Sequence, residues 1–337
     1  MEHYAGIDVS LERSSVCVVD GTGRIVREAK VASEPEALVA FFGQLGLPLT
    51  RVGLEAGPLS QWLHAGLEAV LLETRHVEAA LSAMVVETDR EDARGIAQLL
   101  RMGWYRPVHR KSPDAQEVRA LLVGRKLLQA KLRDAEPSIR GILRGFGLKV
   151  GEVSKGRFAA RANELVAGHE MLEAVIGAML RAREGLRAEY QVLHRAVLAI
   201  VREDAVCRRL MTVPGVGPLV AVTFASAIDD PARFRHSRDV GAHFGLTPKK
   251  YQSGETDVTG GISKVGDATV RTALHEAANA MLTRTARVSG LKRWALEVAK
   301  RGGMRRAKVA LARKLAGVLQ RMWANGTDFR WGKEAAG

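Results

Sequence analysis

His3-Tyr4-Ala5-Gly6-Ile7-Asp8-Val9-Ser10 is the stretch that decides the fold of the first part of the chain. It is short and rich in β-forming residues, and its apolar run ends at an acid followed by small residues. A second run of this kind, Ser15–Asp20, is followed by the turn Asp20-Gly21-Thr22-Gly23 and by a third run, Arg24–Ala32. Three such runs joined by short turns predict a three-stranded meander.

The segments that follow alternate between helical and extended patterns. Apolar residues at helical spacing predict a helix over Glu34–Leu45, and a proline starts a second predicted helix over Pro58–Ala69. Thr50–Glu55 and Val70–His76 are predicted strands. The order β-β-β-α-β-α-β-α predicts an α/β domain with a mixed sheet over residues 1–112, and it is also the order of the ribonuclease H fold.

Residues 113–205 have an almost entirely helical pattern. Six apolar residues recur every seven positions: Leu165, Leu172, Met179, Leu186, Leu193 and Ile200. Such a heptad predicts a coiled coil or a long helical hairpin that connects two domains. The alternative is a helix that packs on its own domain, and the glycines Gly168, Gly177 and Gly185 weigh against a long free helix.

Residues 206–330 form a third predicted domain, mainly α-helical and broken by two glycine-rich stretches. The first, Val213-Pro214-Gly215-Val216-Gly217-Pro218, looks like the turn of a helix-hairpin-helix. In such a turn the backbone N–H groups of Gly215 and Gly217 would face phosphates without reading sequence. An ordinary turn between two helices is the alternative.

The charge of the chain is unevenly distributed. The 337 residues carry 51 Lys and Arg against 37 Asp and Glu, a net charge of +14. Residues 1–110 have 11 basic and 15 acidic side chains, whereas the rest has 40 and 22. An acidic first part and a strongly basic second part favour a nucleic-acid partner, although a general basic bias of the proteome is the alternative.

The sequence also indicates the cellular compartment of the protein. Cys17 and Cys207 are the only cysteines, which excludes a disulfide framework and a cysteine-rich zinc site. The N-terminus lacks the pattern of a signal peptide, and the most apolar stretch is too short to span a bilayer. The sequence therefore predicts a cytoplasmic protein without a membrane partner.

Four acids in the first third lie where a cleft could form. Asp8 and Glu55 each end a predicted strand, whereas Asp89 and Asp92 occupy the first turn of a helix that Thr88 and Glu91 would cap. Converging carboxylates repel one another unless a cation lies between them, and oxygen ligands suit Mg²⁺ or Mn²⁺. The alternative is that each acid stabilises a helix start or a loop by itself.

The second glycine-rich stretch brings serines and cations together. It runs from Ser253 to Gly266, after Phe244-Gly245-Leu246-Thr247-Pro248-Lys249-Lys250-Tyr251-Gln252. Four basic residues belong to this region or follow it: Lys249, Lys250, Lys264 and Arg271. Such a loop can bind phosphates, and a serine in it could attack phosphorus. Arg305 and Arg306 belong to a basic helix that could follow a phosphate backbone or could simply be solvated.

The motifs together resemble those of the DEDD-type insertion-sequence transposases, which are bridge-RNA-guided serine recombinases. The resemblance covers nearly the whole chain. It depends on GIDVS at Asp8, GLEAG at Glu55 and TDREDAR at Asp89 and Asp92, followed by VPGVGP, FGLTPKKYQSG and GISKVGD in the second half. Each motif alone is modestly specific, but their order and spacing are highly specific.

The resemblance implies a mechanism that spacing alone could not show. Asp8, Glu55, Asp89 and Asp92 would be the metal ligands of a RuvC-like domain, and Ser253 would form a covalent phosphoserine link with DNA. A structured non-coding bridge RNA would pair with double-stranded target and donor DNA. The protein would act as a homo-oligomer, a dimer or tetramer, in which the serine domain of one protomer completes the RuvC-like site of another. Only the resemblance ranks Ser253 above Ser263.

Two other functions compete with this recombinase. A RuvC-like metal-dependent, structure-specific endonuclease, similar to junction resolvases, would cut DNA with water, and Ser253 would only bind. A non-catalytic nucleic-acid-binding protein would use the four carboxylates for structure alone. The first alternative predicts free cleaved ends, and the second predicts that Asp8→Asn and Asp92→Asn change no activity.

Overall fold

The computed structural model describes residues 1–82 and 88–331 of the chain. The chain divides into two compact units, residues 1–111 and residues 112–337. The helical region and the C-terminal region therefore lie within one unit. The finer division at residues 205 and 206 stays a prediction.

The first unit is built on one five-stranded mixed sheet. Its strands are β1 (His3–Asp8), β2 (Arg13–Asp20), β3 (Ile25–Ala32), β4 (Leu49–Glu55) and β5 (Val70–Leu72). The order across the sheet is β3-β2-β1-β4-β5. Strands β1, β2 and β3 pair antiparallel, as the meander predicts, whereas β4 and β5 join in parallel. This confirms the predicted α/β layout around a mixed sheet.

Helices cover both faces of this sheet. They are α1 (Pro35–Leu45), α2 (Ser60–Gly66), α3 (Thr74–Leu81) and α4 (Asp89–Met102). Leu38 of α1 and Leu63 of α2 pack in one core with Ile7 and Leu54, whereas Ile96 and Leu100 of α4 pack with Cys17 in another. Burial of apolar side chains on both faces is the main force that fixes the sheet between its helices.

Two predicted elements of this unit are shorter than the sequence suggests. The helix predicted over Pro58–Ala69 spans only Ser60–Gly66. The strand predicted over Val70–His76 ends at Leu72, and α3 begins at Thr74. Periodicity predicted this boundary wrongly because the short apolar run of β5 continues directly into the amphipathic pattern of α3.

The second unit is mostly helical. Its helices are α5 (Pro113–Gly145), α6 (Phe158–Val166), α7 (Glu170–Glu203), α8 (Ala205–Leu210), α9 (Pro218–Ile228), α10 (Asp239–His243), α11 (Ala268–Thr283) and α12 (Gly290–Asn325), with a 3₁₀ turn at Pro231–Arg233. Helix α12 is kinked at Gly303, where φ is 81°. The large core of this unit surrounds α9, whose residues Val220–Ile228 are all buried.

The long helices α5 and α7 pack against each other as the predicted helical hairpin. The predicted heptad, however, does not run along one helix. Leu165 lies in α6 and Leu172 in α7, and Gly168 separates the two helices with φ of 84°. Because this conformation is favourable only for glycine, the chain turns there and the first heptad step is lost.

The stretch predicted as a glycine-rich loop after Thr247 forms a β-hairpin. Strands β6 (Pro248–Ser253) and β7 (Thr256–Ile262) pair antiparallel, and nearly all of their residues are exposed. A two-residue turn at Gly254 and Glu255 joins them, with φ of 56° at Gly254. No helix of the described residues is long and apolar enough to span a lipid bilayer.

Candidate active site

Asp8 and Glu55 end two neighbouring parallel strands. In the register of β1 and β4, Ile7 pairs with Leu54, so the two acids occupy the next positions along the strands. Each acid is two residues beyond a glycine, Gly6 or Gly53, and therefore shares a face of the sheet with it. A Cβ on either glycine would overlap α4 or its side chains, so both acids lie on the face that α4 covers.

Helix α4 brings the other two acids to this region. Thr88 caps the helix, and its hydroxyl accepts a hydrogen bond from the Glu91 N–H at 3.3 Å. Asp89 and Asp92 are consequently in the first turn, as the capping motif predicts. The carboxylate of Glu91 binds Arg94 of the same helix.

The electrostatics of Asp8 show that the acids influence one another. Burial first, and then the charges of Asp89 and Asp92, raise the pKa of the Asp8 carboxyl to about 6, although the charge of Lys30 acts in the opposite direction. Burial also raises the pKa of Glu55, with the charges of Asp8 and Asp92 acting in the same direction. All four predicted acids therefore belong to one region of negative potential.

Basic residues that the sequence analysis did not single out hold the start of α4 on the sheet. Lys30 of β3 forms an ion pair with Asp89 at 3.2 Å. Glu28, also on β3, accepts hydrogen bonds from Arg90, at 2.8 Å from Nε, and from Arg94. Arg90 and Arg94 are four residues apart on one helix face, which is the only sequence signal that could have predicted this cluster.

The donor set suits a hard divalent cation. Carboxylate oxygens are the ligands that Mg²⁺ and Mn²⁺ prefer, and a cation would relieve the unfavourable charge of Asp8 beside its neighbours. Asp8 and Glu55 also line a cavity of about 330 Å³. In residues 1–82 and 88–331, however, no three acids, histidines or cysteines are close enough together to hold a metal ion. The chemistry of the four carboxylates thus fits a divalent metal ion. The distances between them in the described residues, however, are too long for a complete coordination shell.

The predicted nucleophile lies at the tip of the β6–β7 hairpin. Ser253 is the last residue of β6, is exposed, and pairs with Thr256 across the turn. Ser263 follows the end of β7 at the base of the hairpin and is partly buried, and its N–H donates to the Thr247 carbonyl at 2.8 Å. The two serines that the sequence could not separate thus have different surroundings.

The four cations predicted around this serine differ in their contacts. Lys249 and Lys250 are exposed on β6, and Lys250 forms an ion pair with Asp257 of β7 at 3.3 Å. Lys264 is exposed and has φ of 57°. Arg271 donates from Nη1 to the carbonyl oxygens of Phe244, Val265 and Gly266. That nitrogen holds the backbone of the hairpin base, a structural role that the prediction of phosphate binding did not include.

Gly215 and Gly217 lie in the turn between α8 and α9. Gly215 has φ of 86°, and a Cβ there would meet the Ala277 carbonyl at 2.5 Å and the Met281 N–H at 2.8 Å, both in α11. Gly217 has no such neighbour within 4 Å. Close packing against α11 therefore explains Gly215 without a phosphate, whereas it leaves Gly217 unexplained.

Arg305 and Arg306 are exposed on α12, just beyond the kink at Gly303. They line a large groove together with other basic residues of α12 and with Arg238, which immediately precedes α10. The sequence analysis did not single out three of these residues, namely Arg238, Arg293 and Arg321. Because long stretches of chain separate them, only the fold brings them to one surface.

Comparison with known families agrees with this arrangement. Residues 207–294 match the family model described as "Transposase IS116/IS110/IS902 family". Residues 5–147, which contain all four acids, match a model for the DEDD transposases of the IS110 type. Both models describe transposases, so the class of protein is a DNA-processing enzyme of insertion sequences.

Individual relatives cover nearly the whole chain. A probable family 20 transposase of Pseudomonas aeruginosa is 30% identical over 346 residues, which are 97% of this chain and 98% of the relative. The transposase for insertion sequence element IS1111A of Coxiella burnetii is 29% identical, over 97% of this chain and 91% of the relative. This chain therefore belongs to the IS116/IS110/IS902 family of insertion-sequence transposases.

Proposed function

We propose that the chain cuts and rejoins DNA through a covalent phosphoserine intermediate, with the four acids as a divalent-metal site and Ser253 as the nucleophile. The observation that carries this proposal is the common location of the acids. Asp8 and Glu55 end adjacent strands on the face of the sheet that α4 covers, and Asp89 and Asp92 begin α4. The order β3-β2-β1-β4-β5 also supports assignment of this unit to the RuvC-like ribonuclease H fold.

The proposed ion is Mg²⁺, or Mn²⁺ in its stead, held by Asp8, Glu55, Asp89 and Asp92. When bound, it supplies charge stabilisation for the attacking and leaving oxygens of phosphoryl transfer. Lys30 pairs with Asp89, so the ion would compete with this ammonium group for the carboxylate, and the charge of Lys30 lowers the pKa of Asp8. Thr88 and the contacts of Glu28 with Arg90 and Arg94 hold the first turn of α4 in position.

The serine step conserves the energy of the phosphodiester bond, because the bond that breaks is replaced by one from phosphorus to the serine oxygen. The Ser253 hydroxyl loses its proton, its oxygen bonds to phosphorus, and the bond from phosphorus to one deoxyribose oxygen breaks, with that oxygen taking up a proton. Attack by the hydroxyl of another strand reverses these changes and releases the serine. The exposure of Ser253 at a hairpin tip supports this role, since a duplex can reach it, whereas Ser263 is partly buried at the base.

The proposed partners are double-stranded target and donor DNA, a bridge RNA that selects them by base pairing, and further copies of the chain in a dimer or tetramer. The net charge of +14, concentrated after residue 110, supports a polyanionic partner. The place of action would be the bacterial nucleoid.

A covalent adduct with end-labelled DNA tests the serine mechanism. The full chain, Mg²⁺, the element's ends and the transcript of its flanking non-coding DNA are combined, and products are separated on a denaturing gel. We expect an adduct from the natural chain and from Ser263→Ala, and none from Ser253→Ala. An adduct at normal yield from Ser253→Ala contradicts the assignment of Ser253 as the nucleophile.

Free cleaved ends without an adduct would instead favour the structure-specific endonuclease. An equal adduct yield without the transcript would contradict RNA guidance but would leave the serine mechanism standing.

A further inference from the structure

A groove in the second unit is lined almost entirely by cations and apolar side chains. Its volume is about 1480 Å³, and its walls are the base of the β6–β7 hairpin and the helix α12. Six of its side chains are arginines: Arg238, Arg293, Arg305, Arg306, Arg313 and Arg321. None of the described residues that line it is Asp or Glu. A surface of this size with one sign of charge favours a polyanion over a neutral ligand.

The arginines lie at solvent-exposed positions. Those at 238, 293, 305, 306, 313 and 321 are all exposed, although Arg238 is 3.9 Å from the Asp239 carboxylate and Arg321 donates to Ser237 at 3.4 Å. Such exposed contacts are weak and exchange readily for a phosphate. Guanidinium groups that share one groove repel each other, so a bound anion would lower the free energy of the whole group.

The floor of the groove is apolar and open to close approach. Leu246, Ile262 and Leu291 form part of it, whereas Gly260 and Gly261 of β7 present backbone without side chains. The Lys314 ammonium group lies over the face of the Trp294 ring, with Nζ 4.4 Å from the ring centroid, and so forms a cation–π contact within the groove. An apolar floor beneath a basic rim matches a nucleic-acid strand, whose sugars are apolar and whose phosphates carry the charge.

The position of the groove relative to Ser253 gives the separation of the two contacts along the DNA. Pro248 begins β6 and lines the groove, whereas Ser253 ends β6 at the hairpin tip. Five residues of extended chain span roughly 17 Å. One strand of duplex DNA advances about 3.4 Å for each base step, so this distance corresponds to roughly five steps.

We propose that this groove binds the backbone of one DNA strand at phosphates about five base steps from the phosphate that Ser253 attacks. The location along the strand rests on the proposed serine mechanism, but the binding itself does not. The groove thus holds the flank of the reacting DNA while the hairpin tip reaches the scissile phosphate. The contacts are to phosphates, so the groove reads no base sequence.

The first test measures binding without chemistry. The full chain is titrated with a fluorescent 30-base-pair duplex of arbitrary sequence in EDTA, over a series of salt concentrations. The variant Arg293→Gln/Arg305→Gln/Arg306→Gln removes three groove cations. The matched control, Arg144→Gln/Lys155→Gln/Arg157→Gln, removes three exposed cations of α5 and the turn before α6. Circular dichroism spectra check that both variants are folded.

We expect the groove variant to weaken DNA binding about tenfold or more at roughly 0.15 M salt, and to reduce the slope of log K against log salt by about three. The triple Arg→Lys variant at the same positions should keep the natural slope. A groove variant that binds like the control overturns the proposal. A loss of affinity for an RNA of the same sequence that clearly exceeds the loss for DNA overturns it also, since the groove would then belong to RNA.

The second test locates the groove on the strand. In phosphate-ethylation interference with a cognate element end, we expect interference about five base steps from the cleaved phosphate with the natural chain, and none there with the groove variant. Interference that persists in the groove variant overturns the proposal. If Ser253→Ala still forms the adduct, the serine mechanism fails, and the salt-dependent binding by the groove stands independently.

Discussion

Gly6 of β1 lies directly beneath Ala93 of α4, so close that a Cβ at position 6 would overlap the Ala93 carbonyl oxygen. The same Cβ would overlap the backbone nitrogen of Ala97, one turn further along the helix. The absence of a side chain at Gly6 therefore sets how near α4 comes to the sheet. Because Asp8 is two residues after Gly6 and Asp92 immediately precedes Ala93, this contact also sets the distance between the acids.

Replacing Gly6 should separate α4 from β1. We expect Gly6→Ala to lower the free energy of unfolding of the first unit by about 1–3 kcal/mol, because an added methyl group here meets backbone that cannot move aside. Thermal unfolding followed by circular dichroism measures the effect. Gly43→Ala, at an exposed helical position with nothing within 4 Å, serves as the control and should leave stability unchanged or raise it. Equal midpoints for the two variants would show that the contact is not required.

The acids of the candidate site could be predicted from the sequence because each depends on local signals. Asp8 ends an apolar run, and Thr88 starts a helix with a residue type that caps helices, so strand end and helix start were both visible. The contact that joins them was not visible. Gly6 shows its importance only when α4 is packed on it, and nothing local distinguishes it from other glycines.

The hairpin that carries Ser253 could not be predicted for a different reason. Strands β6 and β7 are exposed on both faces, so they lack the alternation of apolar and polar residues that marks a half-buried strand. Lys249, Lys250 and Gly260 in them instead suggested a loop. The groove itself escaped prediction, although the sequence singled out Arg305 and Arg306, because residues such as Arg238 and Arg293 are 55 positions apart and meet only through folding.

Glu28 should make the stability of the first unit depend on acid pH. Hydrogen bonds from Arg94 and Arg90 lower the pKa of its carboxyl from 4.5 to about 2. Its stabilising contribution is therefore complete above pH 4.5 and is lost as the pH falls toward 2. We expect the difference in unfolding temperature between the natural chain and Glu28→Gln to be constant above about pH 5 and to shrink below pH 4.5. Glu12→Gln, at an exposed position, is the control. If its difference in unfolding temperature from the natural chain also shrinks below pH 4.5, the effect is not specific to the Glu28 cluster.

Gly215 and Gly217 can be separated by one pair of variants. Gly215→Ala should lower the unfolding temperature, because φ of 86° and the carbonyl of Ala277 both oppose a side chain. Gly217→Ala, which has open space, should leave the unfolding temperature nearly unchanged. The affinity of Gly217→Ala for duplex DNA, compared with that of the natural chain, then tests the predicted phosphate contact at Gly217. If Gly215→Ala is as stable as Gly217→Ala, packing against α11 does not explain the first glycine.

The four acids should be needed for metal binding and cleavage but not for DNA binding. We expect Asp8→Asn and Asp92→Asn to weaken Mn²⁺ binding, measured by electron paramagnetic resonance of free Mn²⁺, and to reduce adduct formation by roughly a hundredfold or more. Addition of EDTA to the natural chain should have the same effect on the adduct. Asp134→Asn, at an exposed position of α5, is the control. Normal cleavage by both Asp→Asn variants would support the non-catalytic alternative.

Lys30 occupies the place where a cation would compete for Asp89. Its Nζ lies 3.2 Å from the Asp89 carboxylate, and both side chains are more than half exposed. Removing the charge in Lys30→Gln should tighten Mn²⁺ binding about two- to fivefold at pH 8, since an exposed ion pair of this kind contributes only about 0.2–1 kcal/mol. Lys30→Arg keeps the charge and should bind Mn²⁺ like the natural chain. Weaker Mn²⁺ binding by Lys30→Gln would show that Lys30 does not compete with the metal and that it holds Asp89 in the position where the metal binds.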